Sequence, residues 1–484
     1  MSEQAEHDVV IIGTGFSGLA MAIALQQAGI SRFTLLEKAD EVGGTWRENT
    51  YPGAECDIPS ALYSYSFEHN AQWEYKWSEQ PQILGYLKHT ASKYDLYKHI
   101  QFQQEVASTH YDEAQRIWQI ETVQGKRLRT RFLVSAVGQL HRPFIPDIAG
   151  LDDFGGPQFH SARWRHDVSL KDKRVAVIGN AASALQFIPE IASQAKQLTV
   201  FQRSANWVMP KFDRPYKPWE QWLADRVPLV ARLYRFRLWA RNEWLVYPML
   251  TGNRLIQAWF RWTHMRYLRR TVKDPELQAK LTPDYPVGAK RVLFSDDYFE
   301  ALARDNVDVV TEPIAKVVER GVVTADGLRH DADVLIFGTG FRTNPFLAPM
   351  EIFGAGGKSL RDHWQGGAHA YLGVCTAGFP NFFMMYGPNT NLGHNSIVLM
   401  AEAQAKYICS CIKRMSGSGA LEVKADVERA YNDELQRRLQ GMVWNSLDAS
   451  WYKDGGRVTN NWAGTTWEYM RRLRNVRWED FVVK

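Results

Sequence analysis

The chain has 484 residues, 45% apolar and 23% charged, more than one hydrophobic core usually organises and enough for two or three domains of roughly 150 residues each. A mini-protein, a lone binding module and a coiled coil are excluded. Fifty-eight Lys and Arg against 53 Asp and Glu leave a formal charge of +5, too slight at this size to demand nucleic acid as a partner. In chain order, Met1–Asp8 is polar and acidic, unlike a signal peptide. Val9–Ile12 reads as a buried strand running into Gly13-Thr14-Gly15-Phe16-Ser17-Gly18 and an alanine-rich helix ending near Gly29. The first glycine permits a tight turn, the second lets the backbone approach a pyrophosphate, and the third lets the helix pack on the strand. A second apolar strand, Phe33–Leu36, delivers Glu37, which can accept hydrogen bonds from a ribose diol and would repel a 2′-phosphate. FAD or NAD fits this unit.

The pattern returns at Val175–Ile178, followed by Gly179-Asn180-Ala181-Ala182-Ser183-Ala184 and a helix reaching about Ala195. Alanines stand where the second and third glycines would be, and the Ala181 methyl narrows the approach to a pyrophosphate. The next strand, Leu198–Phe201, ends in Gln202-Arg203-Ser204 instead of an acid. Arg203 suits a bidentate contact to a 2′-phosphate, so this unit favours NADP; a surface arginine beside a structural βαβ unit is the alternative. Between Trp207 and Pro286 the composition shifts to Trp, Tyr, Arg and Leu without β-branched runs, which predicts a mostly helical insertion. A membrane-surface helix, an apolar access route and an ordinary bundle with a solvated basic face all fit it. Strand-then-glycine signals at Phe132–Val137 before Gly138 and Val334–Phe337 before Gly338-Thr339-Gly340 close the two units. Their order predicts an α/β fold of two Rossmann-like units, the second inserted in the first. Residues 1–141 and 339–484 form an FAD-binding domain, and 150–338 an NADP-binding domain carrying a helical insertion at about 207–286. Proline-containing stretches such as Arg142–Pro146 serve as the crossing linkers.

Cys56, Cys375, Cys409 and Cys411 form no Cys-x-x-Cys pair and no metal spacing. We therefore expect a reducing, cytoplasmic setting, no metal and no dithiol acceptor. No apolar run of about 18 residues predicts a membrane span, although peripheral membrane contact stays open. Two dinucleotide sites imply hydride transfer from NADPH to a flavin, and with no dithiol or metal in view, molecular oxygen is the expected acceptor.

Phe154-Gly155-Gly156-Pro157-Gln158-Phe159-His160-Ser161-Ala162-Arg163-Trp164 resembles the F-x-G-x-x-x-H-x-x-x-W fingerprint of type I Baeyer–Villiger monooxygenases, a class B flavoprotein family related to flavin-containing monooxygenases. The family pattern continues with Pro or Asp where this chain has Arg165, and the relatives that oxidise heteroatoms usually carry Tyr or Phe at Trp164. The resemblance runs from Asp8 to about Phe481, including Thr459–Gly464. It implies that Gly43-Gly44-Thr45-Trp46 lies along the flavin, that Asp57 in Tyr51–Asp57 sits near isoalloxazine and nicotinamide, and that Tyr63 and Val106 contact flavin. In Gly288-Ala289-Lys290-Arg291 it implies that Lys290 contacts NADP and Arg291 stands over the flavin. Gly387–Ser396, with Asn391 and Leu392, resembles the returning flavin-side loop; His394 is either a polar contact near substrate or a helix-cap neighbour. His160 lies in the family's hinge, which favours a structural or gating role.

The implied activity is NADPH- and O2-dependent insertion of oxygen into ketones, giving esters or lactones through a C4a-peroxyflavin. That peroxide must be anionic to attack a carbonyl, so a permanently charged guanidinium suits it; Arg291 is the candidate, held and tuned by Asp57. Heteroatom oxygenation of sulfides or amines, and an uncoupled NADPH oxidase or quinone reductase, are the alternatives.

Overall fold

The computed structural model describes residues 7–415, 419–447 and 450–484; Met1–Glu6 of the polar N-terminal run lie outside the described residues. The strand His7–Ile12 pairs in parallel with Phe33–Leu36 on one side and Arg127–Ser135 on the other. Val9–Ile12 are apolar without alternation because both faces of this sheet are covered. The helix Phe16–Gln27 is buried from Gly18 to Ile23 and at Leu25, which its Ala- and Leu-rich composition allows. It packs between the sheet and the helix Ile397–Arg414. Eight strands make up this sheet. An antiparallel run of Val106–Asp112, Ile117–Thr122 and Arg127–Ser135 extends it. The short strand Ile100–Gln101 on Phe33–Leu36 and two strands from much later in the chain complete it: Glu351–Phe353 on Val106–Asp112, and Phe382–Met384 on Arg127–Ser135.

A second sheet is parallel throughout, in the order Val307–Val310, Gln197–Phe201, Arg174–Ile178, Val334–Phe337, Gln158–His160. All its strands fall between the two groups that build the first sheet, so the second Rossmann-like unit is nested in the first. The two crossings pair with each other. Phe144 N–H donates to the Gly340 carbonyl at 2.9 Å, Arg342 N–H donates to the Arg142 carbonyl at 2.8 Å, and Pro143 bridges Phe341. A pair of adjacent segments therefore carries the whole inserted unit.

The stretch expected to be helical holds the helices Pro218–Arg226, Pro228–Arg241, Arg254–Thr271 and Pro275–Lys280. A short parallel pairing of Val208–Met209 with Leu293–Phe294 fastens its ends together. Among the described residues no helix is long and apolar enough to cross a membrane.

Candidate active site

The two units face each other across a cavity of about 1320 Å³, above the roughly 300–1,000 Å³ of a pocket for one small ligand. Every residue assigned above to a cofactor or to catalysis lines it, except Gly18 and Ala184. Those two sit where helix meets strand, as the third fingerprint position requires.

Each wall of the cavity is a glycine turn leading into a helix. Gly13 has φ +101°, and a Cβ there would stand 2.7 Å from the Ala136 carbonyl oxygen. Gly15 meets Gly44 backbone to backbone; a Cβ on Gly44 would lie 3.1 Å from the Gly15 Cα. The helices Phe16–Gln27 and Ala182–Ala192 begin at Gly15 and Ala181, and neither has a side-chain cap. Uncapped helical N–H groups opening onto a cavity fit a pyrophosphate at each turn.

Glu37 is buried at the end of its strand, where its Oε2 accepts from the Thr14 N–H (3.0 Å) and hydroxyl (2.6 Å) and its Oε1 from the Ala39 N–H (3.0 Å). A carboxylate has about four lone-pair sites, so one is left for a ribose hydroxyl. The same side chain therefore fastens the first turn, a second role that its place at a strand end does not reveal. Phe16, Trp46 and Tyr63 form one aromatic wall, with the Trp46 indole N–H donating to the Tyr63 hydroxyl at 3.1 Å.

On the opposite side Lys290 Nζ donates to the Ser204 hydroxyl at 2.6 Å and lies 4.5 Å from the centre of the Tyr285 ring. Burial, and then the charge of nearby Arg203, push its pKa below the ordinary lysine value. Two neighbouring cations on the cavity lining suit an anion.

Arg291 is held by Asp57 in a two-point fork, Nε–H to Oδ2 at 2.5 Å and Nη2–H to Oδ1 at 2.6 Å. Their side chains are 35% and 22% exposed, and both line the cavity. Burial disfavours the charge on Arg291, but the Asp57 carboxylate outweighs it and raises the guanidinium pKa above its usual value. The segment that carries Asp57 is itself clamped to the inserted unit. The Tyr51 hydroxyl donates to Gln186 Oε1 at 2.8 Å, and Gln186 Nε2 donates to the Glu55 carbonyl at 2.9 Å. Lys211 adds an ion pair to Glu55. Neither Gln186 nor Lys211 carries a sequence signal. Tyr386, also not anticipated, lines the cavity and donates to Asn391 Oδ1 at 2.6 Å, while Asn391 Nδ2 donates to Asn461 Oδ1 at 2.7 Å. Asn391 thus uses its side chain to tie the returning loop to Thr459–Gly464.

The histidines do other work. His160 uses both ring nitrogens: Nδ1 accepts from the Ala162 N–H at 3.1 Å, and Nε2 bonds the Gly340 carbonyl at 2.8 Å. Burial pushes its pKa down to about 4. It joins the fingerprint segment to the crossing linker outside the cavity lining. His394 is buried against Glu243 (3.5 Å) and Tyr247 and does not line the cavity. It neighbours Ser396, which caps the helix Ile397–Arg414. His363, His369 and the more distant Glu428 bring one potential ligand atom each within 4.8 Å of one another; Glu428 already accepts from the Thr376 hydroxyl and the Ala377 N–H.

A family model described as flavin-binding monooxygenase-like matches residues 6–352. A Baeyer–Villiger monooxygenase of Streptomyces coelicolor is 42% identical, covering 99% of this chain and 94% of that protein. One of Pseudomonas aeruginosa is 43% identical over 96% of this chain and 89% of its own length. Among solved structures, the OTEMO complex with FAD and NADP covers 100% of both chains at 30% identity and a TM-score of 0.89. The chain belongs to the flavin-binding monooxygenase-like family and, within it, to the Baeyer–Villiger monooxygenases.

Proposed function

We propose that this chain is an NADPH- and dioxygen-dependent FAD monooxygenase that inserts one oxygen atom beside a ketone carbonyl, giving an ester or lactone. The observation that carries this reading is the Arg291–Asp57 fork on the wall of a cavity shared by two dinucleotide cradles. Residues 1–141 with 339–484 hold FAD through the Gly13–Ser17 turn, Glu37 and the Phe16–Trp46–Tyr63 wall. Residues 150–338 hold NADPH through the Gly179–Ser183 turn, with Arg203, Lys290 and Ser204 receiving the 2′-phosphate. With both cofactors held in these cradles, they would supply hydride transfer and oxygen activation, while the residues of this chain bind and orient them.

Arg291 serves as a cation that cannot lose its proton, and negative charge that develops on oxygen near it is stabilised without reorganisation. Asp57 fixes the guanidinium plane by occupying two of its donors and leaves the rest on the cavity wall. Lysine at this position would be a mobile, strongly hydrated point charge, so Arg291→Lys is not conservative. All four cysteines are buried and unpaired, which supports a reducing compartment such as the cytoplasm.

Arg291→Ala tests the assignment. NADPH should still bleach the flavin, while ester formation from a ketone panel falls by about 10²–10³-fold. Sulfoxidation needs no anionic oxygen and should fall less. Ester formation at the parent rate would refute the role of Arg291, and hydrogen peroxide as the only product of the parent protein with every ketone would refute the oxygenation itself.

A further inference from the structure

We propose that the helical insertion is a docking face for an anionic lipid bilayer. Three of its helices each expose an apolar stripe on one side. Pro218–Arg226 presents Trp219 and Trp222. Pro228–Arg241 presents Leu229, Leu233 and Phe236. Arg254–Thr271 presents Leu255, Trp259 and Trp262. These eight side chains are between 44% and 82% exposed, and their spacings of three and four residues place each set on a single helix face. Large aromatic side chains in an ordinary bundle turn inward, and apolar stripes left outside mark a contact surface; the helices Pro218–Arg226 and Pro228–Arg241, which carry two of the stripes, pack against each other.

The stripes are not a sign of loose packing. On its other face the helix Pro228–Arg241 is seated on the body of the protein, with Leu238 in a cluster with Leu62, Leu399 and Ile58. Arg235 turns inward as well and donates to the Ala61 carbonyl at 2.7 Å. Ile58 also lines the cavity, so this face lies one helix away from the cavity wall.

Charge selects the occupant. From residue 218 to 273 the sequence holds ten arginines and Lys273 against three acids, Glu220, Asp225 and Glu243. Glu220 is engaged by Arg214 and Lys76, and Glu243 is buried and bonded to Asn395. A second copy docking through this face would oppose two cationic surfaces. An anionic membrane pairs with the arginines while the tryptophans and leucines enter the headgroup boundary, the level at which tryptophan concentrates in membrane proteins.

The test is flotation of the flavin-loaded protein with phosphatidylglycerol vesicles or phosphatidylcholine vesicles at low salt. We expect flotation with phosphatidylglycerol, little with phosphatidylcholine, and release as salt is raised. Arg232→Gln and Arg266→Gln should each weaken binding by about fivefold, and Trp222→Ser with Trp259→Ser together by more than about tenfold. All four side chains project from the surface, so each variant should keep the thermal midpoint and flavin content of the parent. The proposal fails if phosphatidylglycerol vesicles do not float the protein, if these variants float like the parent, or if sedimentation equilibrium shows a dimer that Trp259→Ser dissociates.

Discussion

After the strand His7–Ile12 the chain turns at Gly13, and after Arg174–Ile178 it turns at Gly179, with φ of +101° and +96°. In both turns a Cβ would stand 2.7 Å from the carbonyl oxygen of the residue just after a neighbouring strand, Ala136 in the first and Gly338 in the second. The two units diverge one turn into the helix. The first places Gly18 across from Ala136, with a would-be Cβ only 1.9 Å from the Gly13 oxygen. The second places Ala184 across from Gly338, where a Cβ would come within 2.6 Å of the Ala184 methyl. In the second unit this contact tolerates one methyl group; in the first, a methyl at position 18 is barred by the Gly13 oxygen, since the Ala136 methyl would stand 3.7 Å away. A fingerprint glycine missing from the helix is thus compensated just after a strand more than 150 residues later in the chain.

Substitutions at this contact separate the units sharply. Gly18→Ala directs its methyl into a backbone oxygen that has nowhere to move, so the expected cost exceeds about 3 kcal/mol, with loss of flavin on purification. A Gly18→Ala protein that melts at the parent temperature with full flavin content would show that the first turn is looser than its geometry. In the second unit Gly338→Ala meets a side chain instead, and about 1–3 kcal/mol is expected. Adding Ala184→Gly to Gly338→Ala moves the methyl to the other partner and should restore much of the loss, although glycine inside a helix costs about 1 kcal/mol. Urea unfolding of the parent, both single variants and the double variant measures that coupling, and strict additivity would refute the packing of position 338 on the Ala184 methyl.

The same contrast explains what the sequence revealed. Strand, turn and helix at Val9–Gly18 are local signals, and so is Glu37 at the end of the next strand; the structure sets them as read. The nested order followed from where the closing strands fall, and the paired crossings at Arg142–Phe144 and Gly340–Arg342 bear it out. Gln186 and Lys211 were illegible, because each acts by reaching the Tyr51–Asp57 segment, more than 130 residues away in the chain, and neither sits in a motif. The surface of the insertion was undecided for a related reason. Periodicity gives which residues share a helix face, but not which face the rest of the protein covers.

A smaller effect is expected where the units differ in charge. The second strand of the first unit ends in Glu37, and that of the second unit ends beside Arg203. Arg203→Ala should lower the preference for NADPH over NADH, as the ratio of kcat/KM values, by about tenfold, the scale of one charge-assisted hydrogen bond. Flavin content and the rate with NADH should stay near the parent values. An unchanged ratio would leave the 2′-phosphate to Lys290 and Ser204 alone.

The smallest effect concerns His160, which ties the inserted unit to the crossing linker. His160 has a folded pKa of about 4 against an ordinary 6.5, so in acid the unfolded chain takes up its proton first. Its contribution to stability is complete above pH 6.5 and is lost as pH falls from 6.5 toward 4. Protonation also turns Nδ1 from an acceptor into a donor facing the Ala162 N–H, which breaks that bond. His141, His264 and His363 are pushed down to about 4 as well and act in the same sense, while the buried carboxyls of Glu55 and Glu428, raised to about 7, act in the opposite one, so His160 accounts for one share of the pH dependence. Glutamine can donate to Gly340 and accept from Ala162 without titrating. His160→Gln should therefore show a shallower fall of thermal midpoint with acid than the parent, and coincident slopes would mean that His160 titrates as it does in the unfolded chain.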